Sequence, residues 1–159
     1  MKKTLIILLI CILIFGFIQR SDGQKLTSQQ KLKIEKQVDS VFHIMIKAGE
    51  KLDYDKLTTG VDDRYNAGFI VNSAYFPKYD SLASLLKANA PAGAKQSITI
   101  QKEKITVLSD RIVLLTAFGI ADVELSSNQQ FSTKFFWSFV YEKMDNEWKV
   151  VQSHQSQAD

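Results

Sequence analysis

The chain has 159 residues, of which 45% are hydrophobic and 23% are charged, and its formal charge at neutral pH is +3. This length is enough for one globular domain with a real core. The single cysteine, Cys11, excludes a framework of disulfides and a cysteine-rich metal site.

The N-terminal segment has the pattern of a secretory signal peptide. Met1–Lys3 is basic, the apolar run Thr4–Ile18 carries no charge, and Ser21–Gly23 supplies small residues that suit cleavage after them. An uncleaved membrane anchor is the alternative, but a run of about 15 residues is shorter than the ~20 that a spanning helix needs. We therefore expect a signal peptide over 1–23, a single domain over 24–159, and a periplasmic or extracellular protein with no stable membrane anchor after cleavage.

Most of the basic excess lies in that signal segment. Without it, 17 basic and 16 acidic residues leave a formal charge of +1. The rest of the chain has no basic patch with interleaved aromatic residues, so the sequence does not predict nucleic-acid binding. Cys11 is also removed with the segment, which excludes thiol catalysis in the mature chain.

A long first helix is predicted near the start of the domain. Thr27 and Gln30 have the spacing of a capping box, and Gly49 is a plausible end. Apolar residues in between recur on one helical face: Ile34, Val38, Val41, Phe42 and Met45. This face needs a partner, and a sheet formed later in the chain is the obvious one.

Two shorter helices are predicted to follow. Asp53 should cap a short helix that ends at Gly60. Asp80 or Ser81 should cap a third helix over Leu82–Ala88.

The second half of the chain has the alternation of β-strands. A short strand is expected at Phe69–Val71, and long runs follow over 96–107, 111–124 and 131–142, with a closing strand after the turn Asp145–Asn146. Helices followed by a meander of long strands predict an α+β domain in which the helices pack on one face of a curved antiparallel sheet.

The last hairpin is the most aromatic part of the chain. One face of its first strand carries Phe131, Thr133, Phe135, Trp137, Phe139 and Tyr141. Simple alternation places five residues together on the closing strand: Trp148, Val150, Gln152, His154 and Ser156. We favour a core here over a ligand-stacking platform, because large rings are usually buried. Small residues on the preceding strand allow a bend or a close approach: Ala117, Gly119 and Ala121.

Three segments resemble the nuclear transport factor 2-like (NTF2-like) superfamily, in its SnoaL-like branch of small secreted bacterial proteins. They are Leu52–Asp63, the strand–turn–strand Ile105–Val113, and the closing hairpin Lys143–Val150 with His154 and Ser156. The resemblance implies a cone-shaped, cystatin/NTF2-like α+β fold whose sheet and first helix enclose a pocket, and it implies a homodimer formed through the sheet. Members of this fold include isomerases, cyclases, dehydratases and non-catalytic binders, so the fold alone does not predict a reaction.

Two residues are candidates for a proton carrier in a catalytic member. Asp122 is in phase with Phe118 and Ile120, so it would enter a pocket lined by that strand face. His154 carries an imidazole, which titrates near neutral pH. We favour the alternatives, which are a strand-end carboxylate in water and a structural or rim histidine.

Metal and cofactor sites are not predicted. His43 and His154 have no carboxylate or second histidine at recognised ligand spacing, and no glycine-rich phosphate loop or nucleophile elbow is present. We expect neither a metal nor a cofactor.

The preferred function is the non-catalytic binding of a small apolar molecule in a pocket. The candidate ligand-binding residues are Tyr54, Phe118, Phe135, Trp137, Phe139, Trp148 and His154. A protein-interaction or dimerisation module is the second possibility, and an isomerase or lyase that uses Asp122 or His154 is the third.

Overall fold

The computed structural model describes residues 25–158. The predicted signal segment over 1–23 and Cys11 lie outside the described residues. In the described part of the chain, no helix combines the length and apolar character needed to cross a bilayer.

Helix α1, Ser28–Glu50, begins at the predicted capping box. The backbone N–H of Gln30 donates to Thr27 Oγ1 at 3.2 Å, and the N–H of Thr27 donates to Gln30 Oε1 at 2.8 Å. Two of the helix's orphan donors are thereby satisfied. The apolar face is buried through Ile34, Val38, Phe42, Ile46 and Ala48.

The two shorter helices differ in how they begin. Helix α2, Tyr54–Thr59, has the predicted cap, since Asp53 accepts from the N–H of Lys56 at 2.9 Å. Helix α3 spans Tyr79–Asn89, so the prediction of a cap at Asp80 or Ser81 is wrong. The N–H of Tyr79 instead donates to the carboxylate of Asp63 at 3.1 Å, 16 residues away. The side chain of a distant residue thus accepts the hydrogen bond that a local N-cap residue accepts in most helices.

Within residues 25–158, six strands form one mixed sheet that does not close on itself. The long strands are β3 (Lys95–Val107), β4 (Ile112–Glu124), β5 (Gln130–Met144) and β6 (Glu147–Ala158). They form the predicted antiparallel meander, while β1 (Phe69–Val71) pairs with β6 in parallel and β2 (Ala74–Phe76) pairs with β1. The order across the sheet is β2-β1-β6-β5-β4-β3.

Two β-bulges change which residues face the helices. In β3, Gln101 has no partner between the pairs of Ile100 and Lys102. In β6, Val151 is unpaired in the same way. An extra residue reverses the alternation beyond it. The prediction that Trp148 and His154 share a face is therefore wrong, because the Val151 bulge lies between them.

The core lies between α1 and the concave face of the sheet, as predicted for this α+β fold. Val38 and Phe42 of α1 pack with Leu115, Phe139 and Tyr141 of the sheet, and all five are buried. Each such side chain contributes roughly 1.5–3 kcal/mol by burial. The helix layer and the curved sheet enclose a space at one end of this core.

Candidate functional site

A cavity of about 220 Å³ lies between the helices and the concave face of the sheet. All three helices, β1 and the inner sides of β3, β5 and β6 contribute to its wall. The apolar part of the wall comprises Phe42, Met45, Ile46, Leu52, Leu57, Val61, Phe69, Val71, Leu82, Leu86, Ile98, Trp137, Phe139 and Val150.

Aromatic rings form the sheet side of this cavity. Trp137 stacks on Phe135 with ring centroids 3.9 Å apart, and it meets Phe139 edge-on at 6.1 Å. Trp137 therefore lies between two neighbouring rings of its own strand. Phe69 of β1 packs edge-on against Tyr79 of α3 at 5.3 Å.

The polar part of the wall is uncharged. Among the described residues that line the cavity, none is acidic, basic or a histidine. The polar contributors are Tyr54, Asn72, Tyr79, Gln96, Ser153, Gln155 and Gln157. A charged ligand would lose its hydration on burial, and an uncharged wall offers no ion pair to compensate for that loss.

Hydrogen bonds hold the amide groups in place. The N–H of Gln157 donates to Asn72 Oδ1 at 3.0 Å, and the N–H of Asn72 donates to the carbonyl oxygen of Gln155 at 2.7 Å. The side-chain amide of Gln155 donates to Ser153 Oγ at 3.2 Å. One side of the cavity therefore has ordered polar groups that can fix a ligand's orientation.

Two tyrosines, Tyr54 and Tyr79, belong to the cavity wall. Burial raises the pKa of Tyr79 to about 12, and the neighbouring Tyr54 adds to that effect. Burial also raises the pKa of Tyr54. Both phenols are therefore neutral at physiological pH and can donate a hydrogen bond to an acceptor on a ligand.

Three of the predicted ligand-binding residues line the cavity: Tyr54, Trp137 and Phe139. Phe135 is fully buried behind Trp137 and does not line it. Trp148 is buried in the core, where its indole N–H donates to Gln37 Oε1 of α1 at 3.2 Å.

The other predicted site residues lie on the convex face of the sheet. His154 is exposed and pairs with Ser138, while Asp122 is exposed opposite Ser132. Phe118 is 38% exposed and stacks on Phe136 at 6.2 Å. The structure thus brings His154 and Phe118 to one convex surface and places neither catalytic candidate at the cavity.

Sequence reasoning missed several residues of the cavity wall. Ser153, Gln155 and Gln157 face inward only because of the Val151 bulge, and no local pattern marks that bulge. Tyr79 lies in an aromatic-rich segment with Tyr75 and Phe76, and this composition was the available signal. Asn72 has a positive φ of 52°, typical of an asparagine in a tight turn.

The prediction that neither histidine has a carboxylate at ligand spacing is wrong for His43. Asp39 lies four residues earlier on the same face of α1, and Glu103 of β3 joins them. These three side chains lie outside the residues that form the cavity wall.

Comparisons with known proteins agree with this architecture. A family model described as a SnoaL-like domain matches residues 38–159. A nuclear transport factor 2 (NTF2-like) superfamily protein from Salmonella enterica serovar Typhimurium has a similar structure, with a TM-score of 0.71 and 13% identity over 81% of this chain and 94% of that chain. No curated protein matches the chain.

Two further solved structures show how varied the similar proteins are. The hexachlorocyclohexane dehydrochlorinase LinA-type3 from Novosphingobium barchaimii has a TM-score of 0.68 and 13% identity, covering 84% of this chain and 92% of that chain. The CamKII hub homology domain from Chlamydomonas reinhardtii has a TM-score of 0.66 and 14% identity, covering 79% of this chain and 99% of that chain. At such low identity, these similarities show the shared fold and nothing finer.

Proposed function

The chain belongs to the SnoaL-like domain family, and from that premise we propose that its cavity binds a small, uncharged, mostly apolar molecule without transforming it. The single observation that carries this proposal is a cavity wall with many apolar side chains, several neutral polar groups and no charged side chain among its described residues. Pockets of this composition take their affinity from apolar burial and their specificity from a few placed polar groups.

The size of the cavity favours a molecule with one or two rings. A dry apolar cavity of about 150 Å³ in another protein is large enough for benzene. A volume of about 220 Å³ therefore suits a compact aromatic or alicyclic ligand better than a long acyl chain. The hydroxyl groups of Tyr54 and Tyr79 favour a ligand with one hydrogen-bond acceptor.

Binding is favoured over an isomerase or lyase activity by the chemistry of the wall. Proton transfer needs a group that titrates near the working pH and reaches the substrate. Among the described residues of the wall, no carboxylate or imidazole is present, and the two tyrosines have raised pKa values. Raised phenol pKa values suit hydrogen-bond donation better than proton abstraction.

We place this binding activity outside the cytoplasm, on the basis of the basic and apolar segment over 1–18. Small apolar molecules have low solubility in water, so a protein that binds them in a cavity can carry them through the aqueous space outside the cytoplasm.

Binding of 2-naphthol and naphthalene, measured by isothermal titration calorimetry and thermal unfolding, tests the proposal. We expect both to bind and to raise the midpoint of unfolding with concentration, because a ligand specific for the folded state stabilises it. Tyr79→Phe should weaken the binding of 2-naphthol by about 5- to 10-fold, since one hydrogen bond contributes about 1 kcal/mol. The affinity for naphthalene should stay nearly unchanged.

A pair of matched variants distinguishes cavity binding from surface binding. Val71→Phe fills the cavity from β1 and should abolish naphthalene binding, whereas Val140→Phe adds the same ring on the convex face and should not. Equal binding by both variants, or no binding by the parent protein, contradicts the proposal.

A homodimer formed through the convex face is the second candidate function. Phe118 and Phe136 are 38% and 49% exposed and stack on each other, which makes an apolar patch in the middle of the sheet. Exposed aromatic patches of this kind often mark interaction surfaces. A second copy is the simplest partner, because a two-fold axis through the patch would stack each ring pair on its equivalent.

The oligomeric state of Phe136→Lys tests the dimer. We expect the parent protein to have the mass of a dimer by light scattering and this variant the mass of a monomer, because a lysine cannot be buried unpaired. Phe131→Lys is the matched control, since Phe131 is a similarly exposed phenylalanine of β5 on the other side of the strand. A monomeric parent protein would rule this candidate out.

A further inference from the structure

Asp39, His43 and Glu103 form a cluster of potential metal ligands between α1 and β3. Each offers one ligand atom, and these three atoms all lie within 4.8 Å of one another. His43 Nδ1 is 3.4 Å from Asp39 Oδ1 and 3.0 Å from the carbonyl oxygen of Asp39. The cluster lies outside the cavity wall and is independent of the ligand-binding proposal.

The β3 bulge brings Glu103 to this position. With Gln101 unpaired, the inward-facing residues of the strand are Ile98 and Ile100 before the bulge and Glu103 and Ile105 after it. A carboxylate thus stands in a row of isoleucines, on the face that packs against α1. Bulges that re-aim one side chain in this way occur beside functional sites.

One carboxylate oxygen of Glu103 lacks a hydrogen-bond partner in the described part of the chain. Its Oε2 atom is shielded from solvent and has no hydrogen-bond partner among the described residues. Burial raises the pKa of Glu103, a hydrogen bond with the side chain of Asp39 raises it further, and His43 lowers it. Two neighbouring carboxylates repel each other unless a proton or a cation lies between them.

The donor set has the chemistry of a divalent transition-metal site. One imidazole nitrogen and two carboxylate oxygens are ligands that Zn²⁺ accepts, and imidazole favours such metals over Mg²⁺ and Ca²⁺. The side chains of His43 and Asp39 are 50% and 48% exposed, so the cluster is open to solvent on one side. A metal ion could enter there and complete its tetrahedral coordination with water.

We propose that Asp39, His43 and Glu103 form a Zn²⁺-type divalent metal site that joins α1 to β3. The ion neutralises the two carboxylates and supplies the partner that Glu103 Oε2 lacks. Metal bound to the folded chain alone also stabilises that chain.

Zn²⁺ titration into the untagged, complete chain by calorimetry tests the site. We expect one equivalent per chain, and we expect at least about 10-fold weaker binding for His43→Gln and Glu103→Gln, because each removes one of three protein ligands. His154→Gln is the matched control, since it removes the other histidine from the convex face, and it should leave the affinity unchanged. Co²⁺ in place of Zn²⁺ gives a visible absorption spectrum, which His43→Gln should abolish while circular dichroism shows the variant still folded.

The proposal fails if the parent protein does not bind Zn²⁺ stoichiometrically, or if Glu103→Gln binds it as tightly as the parent. Loss of binding in His154→Gln would locate the ion at the convex face and also overturns the site. Tighter binding of Ca²⁺ than of Zn²⁺ would contradict the assigned class of metal.

Discussion

At the scale of single residues, Gly119 shows how closely β3, β4 and β5 pack. A Cβ atom at this position would collide with the carbonyl oxygen of Thr99 and lie 2.7 Å from Cζ of Phe135. The small residues predicted to permit a close approach thus accommodate the ring of Phe135, which is fully buried and paired with Gly119 across the strands.

Gly119→Ala is therefore expected to lower the free energy of unfolding by at least about 2 kcal/mol, because backbone and ring must both move. Urea unfolding measures this change. Gly49→Ala is the matched control, since its added Cβ meets only Ile98 Cδ1 at 3.5 Å. A neutral or slightly stabilising effect is expected there, because alanine is the better helix former. Equal effects of the two substitutions would contradict the packing argument.

Tyr79 makes the free energy of unfolding depend on pH in the alkaline range. Burial raises its pKa to about 12 in the folded chain, whereas an unfolded tyrosine has a pKa of about 10. The folded state holds this proton more tightly, so the stabilisation is complete below pH ~10 and is lost as pH rises from ~10 towards ~12.

We expect Tyr79→Phe to flatten the decline of the free energy of unfolding between pH ~10 and ~12, measured by urea unfolding at each pH. Tyr75→Phe is the matched control, since the Tyr75 ring is 60% exposed. An unchanged slope in Tyr79→Phe would show that this phenol does not account for the decline.

At the scale of elements, two unpaired residues decide which side chains enter the core. Gln101 of β3 turns Glu103 and Ile105 inward and leaves Lys102 and Lys104 exposed. In β6, the unpaired Val151 turns Ser153, Gln155 and Gln157 inward in the same way.

Deletion of Gln101 should leave the inward and outward faces of β3 unchanged, because Ile100 and Lys102 already pair with the consecutive residues Gly119 and Phe118 of β4, and it should cost at most about 2 kcal/mol through loss of the local bend. Gln101→Ala keeps the count of residues and should change stability by less than about 0.5 kcal/mol, since Gln101 is exposed. Chemical denaturation of both variants checks this. A loss of more than about 4 kcal/mol on deletion would contradict this account of how β3 pairs on the two sides of the bulge.

At the scale of the whole molecule, the sheet separates two surfaces with different proposed roles. The concave face and the helices form the cavity with neutral walls, and the convex face carries the exposed Phe118–Phe136 pair. Ligand binding and dimerisation can therefore be altered independently, by Val71→Phe and Phe136→Lys.

Export is the other prediction at this scale. Expression with a functional bacterial secretion system should yield a chain that begins at Gln24, because Ser21–Gly23 suits cleavage after an apolar run too short to span a bilayer. Intact mass spectrometry of the periplasmic fraction measures this. Gly23→Phe should block processing, since the cleavage site needs small residues. An unprocessed parent chain in the membrane fraction would support the anchor instead.

Local pattern was sufficient for the fold class and for most of the elements. The capping box at Thr27, the apolar stripe of α1 and the alternation of the long strands are properties of short stretches, and they predicted an α+β domain with its first helix on a curved sheet. Tyr54, Trp137 and Phe139 lie in the cavity wall, and their role in binding is still a prediction.

Only the tertiary structure decided two features. One is the face of the sheet to which side chains beyond each bulge point, and the other is the contact between residues that are far apart in the sequence. A bulge depends on how a strand pairs with its neighbour, so the alternation within β6 could not show that His154 faces outward while Ser153 faces the cavity. The cap of α3 by Asp63 and the joining of Glu103 to Asp39 and His43 have the same cause. Each depends on residues far apart in the chain, and only the packing of helices against the sheet brings them together.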